Sequence, residues 1–248
     1  DKAREACAAV LGCRPGEVIF TSGGTESDNA ALLGVALSQR ARGNHIVTTS
    51  IEHHAVLEAA QLLEALGFDV TYVDPHRNGI MGPDAIAAAV RPETSLVSVM
   101  LANNEIGTVQ PLAAIASAVK ARARELGRDI AVHTDAVQAA GALSLKVDDL
   151  GVDLLSLSAH KFNGPKGVGL LYLRRGTPFR PTHVGGAQER DRRAGTENVA
   201  GIVSMSVALQ EAETRRPEYA IHCTQLREKL LAGILERIEG VHVNGDLD

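Results

Sequence analysis

The sequence predicts an α/β protein in which helices pack on a mostly parallel sheet, and three observations support this. Short β-branched runs alternate with longer helical patterns along the whole chain, as βαβ units require. Aromatics are scarce, 3% with no Trp, so the core is built of Ala, Val, Leu and Ile. Such a core suits helices on a sheet buried on both faces better than a β-sandwich. The 248 residues suffice for one large domain, or one domain with part of another, and can bury a sizeable core.

Taken in order, Val18 to Phe20 is a short strand, and Ser27 to Arg40 the helix after it. His45 to Thr49 is a strand, followed by an amphipathic helix from about His54 to Leu66, which Gly67 stops. Val70 to Val73 is again strand-like. Asp84 is expected to cap a helix over Ala85 to Val90, ended by the Arg91-Pro92 step. Ser95 to Leu101 is a buried strand, and Leu112 to Leu126 a helix stopped by Gly127. Ile130 to His133 and Leu154 to Leu157 are strands. Gly167 to Leu173 is a further strand, expected to be antiparallel because so short a loop precedes it. From Glu197 the chain turns helical. Ala220 to Ile238 reads as a long amphipathic helix entering another domain, with Pro217 as the break before it.

The formal charge of −5, from 25 basic and 30 acidic residues, points to neither nucleic acid nor an anionic membrane. No apolar run approaches the ~18 residues that span a bilayer, and no basic-then-apolar signal opens the chain. A cytoplasmic location is expected. Cys7, Cys13 and Cys223 are too few and too irregular for a disulfide framework, and none has metal-ligand spacing. The chain opens at Asp1 without Met and stops after Asp248, which reads as a fragment.

Five successive strand ends carry chemistry. Thr21 to Asn29 (TSGGTESDN) lies between a strand and a helix, where two glycines and free helix N–H groups suit a phosphate. A capped Gly-rich turn without a ligand is the plain alternative, and the glycine spacing is neither that of a Walker loop nor of a dinucleotide fingerprint. Val152 to Lys161 is an apolar strand delivering Ser158, His160 and Lys161 to its end, where ligands bind in α/β sheets. A lysine there can act as an amine nucleophile, although a lone exposed lysine would more simply be structural. Asp135 ends a strand in HTDAVQ and could serve as a cap or pair with a pyridinium nitrogen. EHHAV, with His53 and His54, and NNEIG, with Asn103 and Asn104, follow two further strands. The two histidines lack the HExxH arrangement of a metal site. The coincidence of all five outweighs any single motif.

On FTSGGTESDN, TTSIEHHAV, NNEIGTVQ, HTDAVQ, LSLSAHKFNGPKGVG and the Arg193 to Asn198 run RAGTEN, the chain resembles the class V, fold-type I pyridoxal 5'-phosphate (PLP) enzymes. The resemblance is closest to cysteine desulfurases of the iron–sulfur-cluster-assembly type and runs from about Arg4 to Asp248. It implies a three-layer α/β/α large domain over residues 1–213, its N-terminal segment missing, and the start of a small α+β domain over 214–248. Lys161 would be the Schiff-base lysine. His53 would stack on the pyridine ring and take part in proton transfer, Asp135 would bind the ring nitrogen, and Gln138 the phenolic oxygen. Asn104 would sit near that oxygen and the substrate, while Gly24, Thr25, Ser158 and His160 would hold the phosphate. Thr196 would reach the phosphate of a neighbouring subunit, implying a homodimer.

The resemblance implies conversion of L-cysteine to L-alanine, with sulfur passed as a persulfide to scaffold or thiolating partners. The family's catalytic cysteine and substrate-carboxylate arginine are expected beyond Asp248. Cys7, Cys13 and Cys223 lack the Ser/Gly-rich surroundings of that cysteine, so residues 1–248 are expected to hold PLP without completing desulfuration. A selenocysteine lyase or another class V transaminase or lyase is the second reading. A non-catalytic scaffold is the third, and the presence of Lys161 and Asp135 opposes it.

Overall fold

The computed structural model describes residues 1–247. Asp248, the last residue of the expected small-domain segment, lies outside them. The strands are β1 (Val18–Thr21), β2 (His45–Thr49), β3 (Asp69–Val73), β4 (Thr94–Ser98), β5 (Ala131–Asp135), β6 (Leu154–Ser158) and β7 (Gly169–Leu173). They form one sheet in the order β1-β7-β6-β5-β4-β2-β3. Every neighbouring pair is parallel except those of β7, which runs antiparallel to both β1 and β6. The short Asn163 to Val168 return after β6 leaves no room for a crossover, so the expected antiparallel strand is present.

The helices are α1 (Lys2–Leu11), α2 (Gly24–Gln39), α3 (His54–Ala65), α4 (Pro83–Ala89), α5 (Leu112–Glu125), α6 (Val147–Leu150), the short turn α7 (Gln188–Asp191) and α8 (Val199–Arg237). They cover both faces of the sheet. Val47, Val97, Val132 and Leu155 pack with α1, α4, α5 and the start of α8. Their chain neighbours Ile46, Leu96, Ala131 and Leu154 pack on α2 and α3. The alternation is the period-two geometry of a strand, and with both faces covered each position is apolar. The result is a three-layer α/β/α body.

Three expectations need correction. Gly82 caps α4 and Pro83 opens it, so Asp84 lies within the first turn and makes no side-chain cap bond. β4 ends at Ser98 rather than Leu101. Past it the chain still bonds to β5, through Val99 N–H to His133 and Leu101 N–H to Asp135, but bends away toward the next loop. Pro217 does not break the last helix, since α8 runs through it from Val199 to Arg237. Pro217 is exposed, and the pairs Arg215–Glu211 and Arg216–Glu213 flank it. The buried residues of α8 are Gly201, Met205, Ser206 and Leu209, so only its first third packs on the sheet.

Candidate active site

The parallel strands β1, β2, β4, β5 and β6 all end on one edge, and their trailing loops enclose a cavity of about 640 Å³. They are not all successive in sequence. β3 intervenes at the sheet margin and contributes nothing to the lining.

β1 hands over to α2 through Gly23, whose backbone is extended, and the first intrahelical bond runs from Ser27 N–H to the Gly23 carbonyl. The N–H groups of Gly24, Thr25 and Glu26 therefore precede the helical ladder and face the cavity end of the helix dipole. The loop is held by Thr21 and Ser27 hydroxyls 2.8 Å apart. Glycine is needed here for packing. A Cβ on Gly24 would lie 2.7 Å from Val137 Cγ2, and one on Gly169 of β7 would lie 2.6 Å from Gly23 Cα. Glu26 accepts from Ser22 N–H at 2.8 Å and pairs with Arg193 at 2.8 Å, tying the RAGTEN run to this loop. Burial pushes the Glu26 carboxyl up, but the Arg193 and Ser22 hydrogen bonds hold it below its usual value.

β6 ends in a tight 3-10 turn, Ala159–Phe162, closed by Asn163 in the left-handed region and by Gly164 N–H bonding the Ala159 carbonyl at 2.8 Å. Phe162 buries its ring and anchors the turn, leaving His160 and Lys161 exposed toward the cavity. His160 Nδ1 lies 2.9 Å from Ser158 Oγ. The Lys161 amine makes no hydrogen bond or ion pair among the described residues, so its nitrogen is free for a ligand.

His53 is the N-cap of α3, with Nδ1 accepting from Ala55 N–H at 3.0 Å. That bond fixes the neutral tautomer, with the proton on Nε2. Asn103, which is buried, sends Nδ2 to the Ile51 carbonyl at 2.8 Å and accepts from Glu105 and Ile106 N–H at 2.9 Å each. This turn presents Asn104, not Asn103, to the cavity.

Asp135 is buried at the end of β5, with one oxygen accepting from Val137 N–H at 2.9 Å. Burial raises its pKa, while that backbone bond and the nearby Lys161 charge pull it back down. Two further carboxyls lie behind it. Burial, with the Asp135 charge adding, holds Asp28 well above the usual carboxylate range. Glu52 is pushed up to about 8 by burial, although Thr49 and Met100 both donate to it. The His133 imidazole, pushed down to about 3 by burial, sits 3.6 Å from Asp28. That contact has the distance of an ion pair, but burial shifts both partners toward their neutral forms. Serine hydroxyls from Ser98 and Ser156 satisfy the imidazole at 2.8 and 3.0 Å.

The cavity thus gathers Gly24, Thr25, His53, Asn104, Asp135, Gln138, Ser158, His160 and Lys161, nine of the ten residues expected in the site. Thr196 stands apart, exposed on the loop before α8. Sequence reasoning missed Met100 and the roles of Lys166, Asp28 and Glu52. The last three lie inside the motifs already noted, but nothing in their order along the chain tells which face they take.

The aminotransferase class-V family model matches residues 1–247. A cysteine desulfurase IscS of Dictyoglomus turgidum is 48% identical over 245 residues, covering 99% of this chain and 61% of its own length. A solved NifS-like protein superposes with a TM-score of 0.93 at 44% identity, over 99% of this chain and 66% of that one. A structure described as SspA in complex with cysteine superposes at 0.78 with 42% identity, over 84% of this chain and 59% of that one. The chain therefore spans about three-fifths of the length of the curated relatives it matches.

Proposed function

Because the chain belongs to the class-V aminotransferase family, we propose that it is the PLP-binding large domain of a cysteine desulfurase. That enzyme would turn L-cysteine into L-alanine and move the sulfur onto an enzyme thiol as a persulfide. The observation that carries this reading is the convergence of a free lysine amine, a buried carboxylate and an open helix N-terminus on one cavity. The cysteine named in the SspA complex supports the choice of substrate.

PLP is the cofactor of this family, and the residues present fit it. A phosphate suits the N–H groups of Gly24 and Thr25 with the Ser158 and His160 side chains beside them. Asp135 has one oxygen committed to Val137 and the other available to a ring N–H. Bound PLP supplies an electron sink for the carbanion formed when an amino acid loses its α-proton. The protein's own residues supply the rest. Lys161 offers its amine as nucleophile and proton carrier. His53, its Nδ1 occupied by Ala55 N–H, would stack on the ring with Nε2 left for proton transfer. Gln138 and Asn104 would orient the phenolic oxygen and substrate, and Thr196 would reach the phosphate of a neighbouring subunit in a homodimer.

The sulfur acceptor is neither Cys7 nor Cys13. Burial pushes both thiols up to about 12, which leaves almost no thiolate at neutral pH. The loss of burial along α8 after Leu209 supports a division near residue 213 between the large domain and a small one. No helix among the described residues is long and apolar enough to cross a membrane. We place the enzyme in the cytoplasm, passing sulfur to an acceptor protein for iron–sulfur clusters or thiolation.

The test is the complete reading frame with PLP, L-cysteine and a thiol reductant, quantifying alanine and sulfide together. Equimolar products, absent in Lys161→Ala, are expected. PLP bound without sulfide release would retain the cofactor site and overturn the desulfurase reading.

A further inference from the structure

The opposite edge of the sheet holds a second cavity, of about 720 Å³, floored by the amino ends of β5 and β6 at Ile130, Ala131 and Asp153. Its walls come from three separate stretches: Arg42 after α2, Lys120 to Arg128 at the end of α5, and Arg174 with Arg175 after β7. Six cationic side chains face two carboxylates, Asp129 and Asp153, an excess of four positive charges in a chain whose formal charge is −5.

The six cations divide into two sets. Lys120 and Arg174 are each 3.2 Å from Asp153, and Arg174 also reaches Asp148 at 2.9 Å, so these are paired. The guanidinium groups of Arg42, Arg124, Arg128 and Arg175 form no ion pair or hydrogen bond among the described residues. The simplest alternative is that they complement the carbonyl ends of α2 and α5. Carbonyls at both helix ends already have backbone partners. Gln39 accepts from Arg42 and Gly43 N–H, Arg122 from Leu126 N–H, Ala123 from Arg128 N–H and Arg124 from Gly127 N–H. Arg175 lies on no helix end. Arg122, within the same stretch of α5, pairs with Glu125 at 2.9 Å and does not line the cavity.

We propose that this amino-edge cavity is a second binding site, taking a small polyanion with two or more phosphate groups. Four unpaired guanidinium groups carry more positive charge than the roughly two negative charges of one phosphate group balance. The volume falls within the range of small-molecule sites, and the guanidinium fork matches phosphate oxygens two at a time. The site lies across the sheet from Lys161 and does not depend on the desulfurase reading.

The experiment is calorimetric titration of tripolyphosphate into the full-length protein saturated with PLP, so that the Gly24 loop is already filled. One saturable site is expected. Arg124→Gln and, from the opposite wall, Arg175→Gln should each weaken it about tenfold, the worth of one charge-assisted hydrogen bond. Arg122→Gln should bind as the parent does, and circular dichroism should show all three folded. If Arg124→Gln melts early, Arg124→Lys keeps the charge and should recover most of the affinity. Absence of saturable binding, equal losses in all three variants, or displacement by excess PLP would each overturn the proposal.

Discussion

The two edges of the sheet treat ionisable groups in different ways. At the carboxyl edge Asp28, Glu52 and Asp135 are buried, and burial holds all three carboxyls above their usual range. There the polar groups answer to neighbours at fixed distances, such as Thr49 and Met100 on Glu52. At the amino edge Arg42, Arg124 and Arg175 are exposed and unpartnered, and water screens them. Position relative to the core decides what a charge does. Buried groups set protonation states and geometry, whereas exposed ones set a field.

The two edges should separate most sharply at Lys161. Lys161→Ala should lower alanine formation by about 10⁴-fold or more, a loss on the scale of removing an enzyme's nucleophile, while leaving tripolyphosphate binding at the other edge unchanged. Retained turnover would remove the amine from the mechanism.

Glu52 tests the buried side by pH. Its carboxyl rises from 4.5 to about 8 on folding, so between those values the unfolded chain loses a proton that the folded chain keeps. Stability from this group therefore falls as pH rises through that window, by roughly 4–5 kcal/mol at most. Glu52→Gln should flatten this fall, so that denaturation midpoints of variant and parent diverge progressively from pH 5 to pH 8. Parallel curves would place the Glu52 proton elsewhere.

Asn103→Ala removes four side-chain hydrogen bonds at the turn that presents Asn104, one of them to the Met100 sulfur. A loss of about 1–3 kcal/mol is expected from urea denaturation, with KM for cysteine raised more than kcat is lowered. The smallest effect belongs to the amino edge. Arg175→Gln should change stability by no more than ~0.5 kcal/mol, as surface substitutions do. A larger shift would mean its guanidinium is part of the folded scaffold.

Much of the carboxyl edge was legible in the sequence because loops that bind phosphate and rings need unusual residues in short order. Gly23-Gly24, Ser158 to Lys161 and HTDAVQ have that composition, and each stands where an apolar strand ends. The amino edge was not legible. Arg42, Arg124 and Arg175 are ordinary surface residues in sequence, and only their convergence makes a cavity. Pro217 misled for a related reason, since a proline at an exposed helical position removes one N–H without forcing the chain to turn.

Local chemistry in the sequence determined where strands and helices fall, that the sheet is buried on both faces, and which motifs carry Lys161, Asp135 and the glycine loop. Those features follow from neighbours within a few residues, through side-chain periodicity, capping and backbone freedom. Tertiary structure alone decided the order β1-β7-β6-β5-β4-β2-β3, and with it which five strand ends share an edge. It also decided that Asn104 faces the cavity while Asn103 builds the turn, and that Glu52 is buried while His53, next to it, lines the site. These outcomes depend on which distant segments pack against one another, and burial then sets the charge each group can keep.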